Sequence, residues 1–220
     1  MDYIKFDKEV KNLVSCYRKL GAEVDDCIIS PPVTEDKVYE VEKKLGVILP
    51  SQLKKFFLEY SGSLQVSAFF SDDFCESLPD DLDGLFCACF EISLDEIERA
   101  ETSRKEWISS VFSNEDDEYD SVWYNKLGIM TVANGDVIAL DVKQNAGNPS
   151  VVYLSHDGDD SHGVVLGKDF ESFISNFVRV GGCGNEDWQI LPFVTDEEVG
   201  IDSECENAKE FRGLIGFDVD

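Results

Sequence analysis

Long apolar runs are missing from this 220-residue sequence. No stretch reaches the roughly 18 consecutive apolar residues of a bilayer-spanning helix, which excludes an ordinary membrane span. The opening MDYIKFDKEVKNL has no apolar segment behind its lysines, so no secretory signal is expected there. Histidine is scarce, with only His156 and His162. The seven cysteines, Cys16, Cys27, Cys75, Cys87, Cys89, Cys183 and Cys205, are odd in number and irregular in spacing. That is a poor disulfide framework, and it offers neither a second cysteine pair nor a histidine set for zinc. Cys87 and Cys89 lie two apart in LFCACF, on one face of a strand. The cysteines are expected as buried free thiols in a cytoplasmic protein.

Positive charge is the most uneven shortage. Nineteen Lys and Arg stand against 46 Asp and Glu, a net charge of −27. Residues 1–60 carry 11 acids and 10 bases, residues 61–120 carry 17 and 3, and residues 121–220 carry 18 and 6. Such a chain repels phosphate backbones and anionic lipid, so direct nucleic-acid and membrane binding are not expected and basic partners are. Uniform solubilisation would not need the asymmetry, which points to a directed acidic face. The apolar share of 43%, with fifteen Phe, seven Tyr and three Trp, is too high for a disordered acidic chain.

Signatures of catalysis are thin. Gly181-Gly182-Cys183-Gly184 follows a helical pattern rather than a strand and reads as a linker, not a nucleotide turn. The loop HDGDDSHGVVLG departs from the alternating EF-hand pattern, and NEDDEYD has no such pattern. With 46 carboxylates, a pair at catalytic spacing carries no information. His156 beside Asp157 reads as a surface histidine at a strand-to-turn junction. The expectation is a protein that is not an enzyme and holds no metal or cofactor.

Periodicity predicts helices over 6–20, from Thr34 to Gly46, from Pro50 to Ser61-Gly62, from Ser93 to about 112, and over 170–178. A loop through Pro31 and Pro32 separates the first two, and Val47-Ile48-Leu49 reads as a short extended step. Ser93 and Glu96 form a capping box, and Ser203 with Glu206 forms another before a final short helix. Strands are predicted at 64–70, 84–92, 127–133, 136–142, 150–155 and 163–167. Asn134-Gly135 marks a tight hairpin. Helices, then an antiparallel sheet, then helices imply an α+β fold with one central, mostly antiparallel sheet flanked by helices.

Three stretches together resemble the SUKH superfamily, whose members include fungal regulators of cell-wall assembly. PPVTEDKVYEVEKKLGVILPSQLKKFFLEYSG, from Pro31 to Gly62, is similar to its N-terminal signature through Glu42, Leu45-Gly46, Leu49-Pro50 and Gly62. GIMTVANGDVIALDV carries its glycine turn at Asn134, Gly135 and Asp136. VVYLSHDGDDSHGVVLGKDFESFISNFV matches the closing strand, turn and helix, with Phe170, Phe173 and Ile174 apolar. The resemblance covers about 31–180 of a single domain taken as 1–220, with the N-terminal helix and a C-terminal extension outside it. It implies a SUKH-like binding fold without known catalysis. Many bacterial members are immunity proteins that neutralise polymorphic toxin domains, commonly nucleases, whereas the fungal members are regulatory scaffolds.

Acidity joined to that resemblance favours a cognate toxin, a basic nuclease domain, as partner; a regulatory or scaffold role is the alternative. The candidate partner surface comprises Asp72, Asp73, Glu76, Asp80, Asp81 and Asp83 as a first patch. Glu115, Asp116, Asp117, Glu118 and Asp120 form a second, and Asp157, Asp159 and Asp160 a third. Tyr119 and Trp123 are candidate aromatic anchors, with Phe74 and Tyr124 near them; Phe69 and Phe70 are assigned to core packing. The sequence leaves the oligomeric state open.

Overall fold

The structure, a computed structural model, describes residues 1–143, 147–196 and 199–219. It opens with α1 (Tyr3–Leu20), whose first turn is capped by the Asp2 carboxylate and whose end closes on left-handed Gly21. Phe6, Val10, Leu13, Val14 and Tyr17 form its buried stripe, at the predicted spacing.

The connection expected as loop contains a strand, β1 (Glu23–Ile29). Beyond the two prolines come α2 (Glu35–Leu45), ended by Gly46, and α3 (Ser51–Glu59), which follows Pro50. The step at 47–49 is not a strand. Glu42 holds it instead: its Oε1 accepts the Leu49 N–H at 2.9 Å and pairs with Lys54 at 2.7 Å, tying α2 to α3.

A first antiparallel sheet has the order β1-β2-β3, with β2 (Ser63–Phe69) central. Leu64, Val66 and Ala68 point into the core, and the alternate positions face outward. Phe69 falls on the outward set and is 42% exposed, contrary to its assignment to the core, whereas Phe70 is buried. The acidic connection from β2 to β3 (Cys87–Ser93) contains a single turn, α4 (Asp72–Cys75), and a 3-10 turn at Asp80–Leu82. Ser93 then caps α5 (Leu94–Ser110), its Oγ accepting from the Glu96 N–H at 3.0 Å. The Glu96 carboxylate does not complete the expected box. It accepts from the Thr131 N–H and hydroxyl, at 2.5 and 2.7 Å, and from Arg99.

The second sheet contains β4 (Lys126–Thr131), β5 (Val137–Asp141), β6 (Val151–Leu154), β7 (Val165–Gly167), β8 (Val194–Asp196) and β9 (Gly200–Ile201). Its order is β4-β5-β6-β7-β9-β8, antiparallel at each ladder. The fold is α+β, as expected, but the strands form two separate antiparallel sheets rather than one central sheet. The division falls where β3 passes directly into α5 and β4 returns along that helix. Gly128 permits this return, since a Cβ there would lie 2.6 Å from the Ala100 carbonyl carbon.

Both faces of β5 and β6 are buried. Ile138, Leu140, Val151 and Tyr153 join the main core, while Val137, Ala139, Val152 and Leu154 meet a second cluster with Ala100, Phe112 and Trp123. That two-sided burial explains their unbroken apolar sequences. The fold closes with α6 (Phe170–Arg179), α7 (Asp187–Ile190) and α8 (Glu206–Ile215). Cys205, not Ser203, caps α8: its sulfur accepts from the Ala208 N–H, and Ser203 bonds Asn176 instead. Phe6, Tyr17, Phe193, Phe211 and Phe217 share the main core with Phe56, Phe90 and Phe173, so both terminal regions pack into it. All seven cysteines are free, but Cys27, Cys75, Cys89 and Cys205 are half-buried rather than buried.

Candidate functional site

The second and third acidic patches are joined into one surface. In the 114–120 loop, Asp117 Oδ1 accepts from the Tyr119 and Asp120 N–H groups at 2.9 and 3.1 Å, and Asp120 accepts from the Asn114 N–H at 3.0 Å. Those two carboxylates shape the loop. Glu115, Asp116 and Glu118 are exposed. Tyr119 is half-buried, and its hydroxyl donates to the Ser155 carbonyl at 2.5 Å and accepts from the Gly158 N–H at 3.0 Å. Its ring stacks on His162 with centroids 3.9 Å apart. Tyr119 is therefore a tether between the loops more than an exposed anchor.

His162 completes the tether. Its Nδ1 accepts from the Ser155 N–H at 3.1 Å, which leaves the proton on Nε2 to be donated to the Tyr119 carbonyl at 3.0 Å. Only the neutral imidazole satisfies both. Burial holds its pKa below the usual histidine value, against the opposing pull of the Tyr119 carbonyl and of Asp159 and Asp136. In the third patch, Asp157 and Asp160 are exposed. Burial works to raise the Asp159 pKa, but hydrogen bonds from Ser161 and Ser155 outweigh it and keep the carboxyl below the usual range.

Asp136 lies beneath this surface, 1% exposed. It accepts from the Tyr153 hydroxyl at 2.8 Å, the Asn134 amide at 2.7 Å and the His156 N–H at 2.8 Å, and meets His156 Nδ1 at 2.6 Å. His156 stacks on Trp107, whose indole N–H binds the Gly135 carbonyl at 2.8 Å. The sequence reading of His156 as a surface residue beside Asp157 thus changes. Its principal partner is twenty residues away, and its other nitrogen lies 3.3 Å from Asp157. With both nitrogens engaged, the imidazole fastens the Asn134-Gly135 turn to the loop that carries the third patch.

The first patch sits on the connection from β2 to β3. Leu78, Leu82 and Leu85 are buried there, and Phe74 meets Phe70 edge-on at 5.4 Å. These anchors leave Asp72, Asp73, Glu76, Asp80, Asp81 and Asp83 exposed. The patch ends at Gly84, where a Cβ would lie 2.9 Å from Trp188 Cδ1. Trp188 belongs to α7 and is 46% exposed. Its neighbour Asp187 has a raised pKa, through burial first and then the nearby Asp159 and Asp136 charges. α7 accordingly borders the first patch through Trp188 and feels the third through Asp187.

Trp123 does not belong to this surface. It is fully buried, stacked on Phe112 at 4.9 Å, with its carbonyl holding Arg104, because the apolar cluster under α5 claims it. Trp188 is the aromatic residue that sequence reasoning missed. Its signal was NEDWQ, in which Glu186 and Gln189 form a real capping box.

Helices packed on two antiparallel sheets make this an α+β fold of the SUKH kind. The profile of the SMI1 / KNR4 family (SUKH-1) matches residues 32–176, and the chain belongs to that family. No curated protein sequence matches the chain. All three acidic patches fall inside the matched region; α1, β1, α7, β8, β9 and α8 fall outside it.

Proposed function

We propose that this protein is an intracellular immunity protein, which neutralises a cognate bacterial toxin domain by stoichiometric occlusion. The partner is a basic domain, of the kind a nuclease needs to attract a polyanion. The protein itself performs no catalysis in this reading, and binds neither nucleic acid nor membrane. The observation that carries it is the joining of acidic loops 114–120 and 157–160 by Tyr119 and His162, with exposed carboxylates along both. Such a face attracts a basic cleft and accelerates encounter. Family membership supports a protein partner. Free cysteines suit a reducing cytoplasm, and no helix among the described residues is long and apolar enough to cross a membrane. We read residues 1–220 as one folding unit, on the shared core of its terminal helices.

Titration of the toxin's activity tests the mechanism. Occlusion predicts a linear loss ending at about one equivalent of this protein. Complete inhibition at a small fraction of an equivalent would instead require a catalytic antagonist and would overturn it.

A further inference from the structure

Trp188 is the largest exposed aromatic side chain beside the acidic connections, and it lies outside the family-matched region. Its position is enforced. Gly84 leaves room for the indole against the end of the first acidic connection, and Gln189, the next residue, reaches Cys87 from the same turn. Phe86, between those two contacts in sequence, is 44% exposed. Exposed Asp83 precedes Gly84, and Asp187 precedes Trp188. The bases of residues 61–120 are Arg99, Arg104 and Lys105, all on α5. Among the described residues the one cation–ring contact is Lys55 over Tyr3, at 5.7 Å. Trp188 is therefore a half-exposed indole flanked through its chain neighbours and through Gly84 by Asp187 and Asp83, and no cation of the described residues stacks on it.

We propose that Trp188 is the docking platform for an arginine-bearing basic segment of the protein partner. The guanidinium stacks on the indole while the neighbouring carboxylates receive its charge. Both components favour arginine over lysine: the planar group covers more of the ring and its fork pairs with carboxylate. The C-terminal extension thus supplies the apolar centre and the family core supplies the charged rim, the division seen in interfaces where a few anchors hold most of the affinity. This inference rests on the acidic face being the partner surface.

The test uses the full chain with nona-arginine and nona-lysine peptides as probes, by calorimetry at low salt. The wild type should bind nona-arginine more tightly than nona-lysine. Trp188→Ala should weaken nona-arginine binding about tenfold and erase the difference between peptides, while Trp188→Phe retains part of it. Gly84→Ala, which displaces the indole without removing it, should weaken nona-arginine binding in the same direction. Circular dichroism on each variant reports folding, and the peptide difference is a ratio within one variant. Equal binding of both peptides to the wild type, or an unchanged ratio in Trp188→Ala, overturns the proposal. If the ratio behaves as stated but the native partner is no toxin, the immunity reading fails and the platform stands.

Discussion

Asp136 gathers more obligations than any neighbouring side chain. Removing it in Asp136→Ala would leave the Tyr153 hydroxyl, the Asn134 amide and the His156 N–H without their common acceptor in a buried setting. The expected cost is about 3 kcal/mol, measured by urea denaturation. His162 predicts a pH effect whose sign follows from its depressed pKa. An unfolded chain takes up the imidazole proton more readily than the folded one, so the stability it contributes is complete above about pH 6.5 and is lost as pH falls through the lower folded value. Denaturation midpoints from pH 7.5 to 5 should fall less steeply in His162→Gln than in the wild type; parallel curves would remove His162 as the latch. The Asn134-Gly135-Asp136 turn was legible in the sequence. The carboxylate's partners were not, because Tyr153 and His156 reach it only after β5 and β6 pair.

At the scale of elements, helices with an apolar stripe and a glycine stop announced themselves, as α1, α2 and α6 did. β1 did not, since Glu23, Asp25 and Asp26 obscure its apolar alternation and its identity comes from pairing with β2. The start of α8 departs from the sequence expectation because a cysteine sulfur, rather than a hydroxyl, takes the capping N–H. Two glycine substitutions probe the packing in opposite directions. Gly128→Ala forces a Cβ into the backbone of α5 and should cost about 3 kcal/mol. Gly213→Ala, inside α8 with nothing within 4 Å, should stabilise by about 0.5–1 kcal/mol. Thermal or urea unfolding of the pair distinguishes close packing from glycine content.

For the whole molecule, charge asymmetry was plain in composition, yet its arrangement was not. Tyr119 looked like an anchor and serves as a tether, Trp123 is core, and the exposed indole comes from a segment beyond the recognised signature. Long-range contacts decide such matters, and local patterns do not report them. Since Asp117 shapes its own loop, Glu115→Gln, Asp116→Asn and Glu118→Gln together remove charge while leaving that loop's hydrogen bonds in place. This triple variant should associate with the partner about five- to tenfold more slowly at low salt and show a shallower salt dependence, by stopped-flow kinetics. Dissociation should change little. The most direct test of the central claim is capture from the native host at low salt, with this protein as bait and mass spectrometry of the bound chain. A basic toxin domain recovered in near one-to-one ratio is the predicted result; recovery of wall-synthesis or signalling proteins in its place would contradict the account and favour a regulatory scaffold.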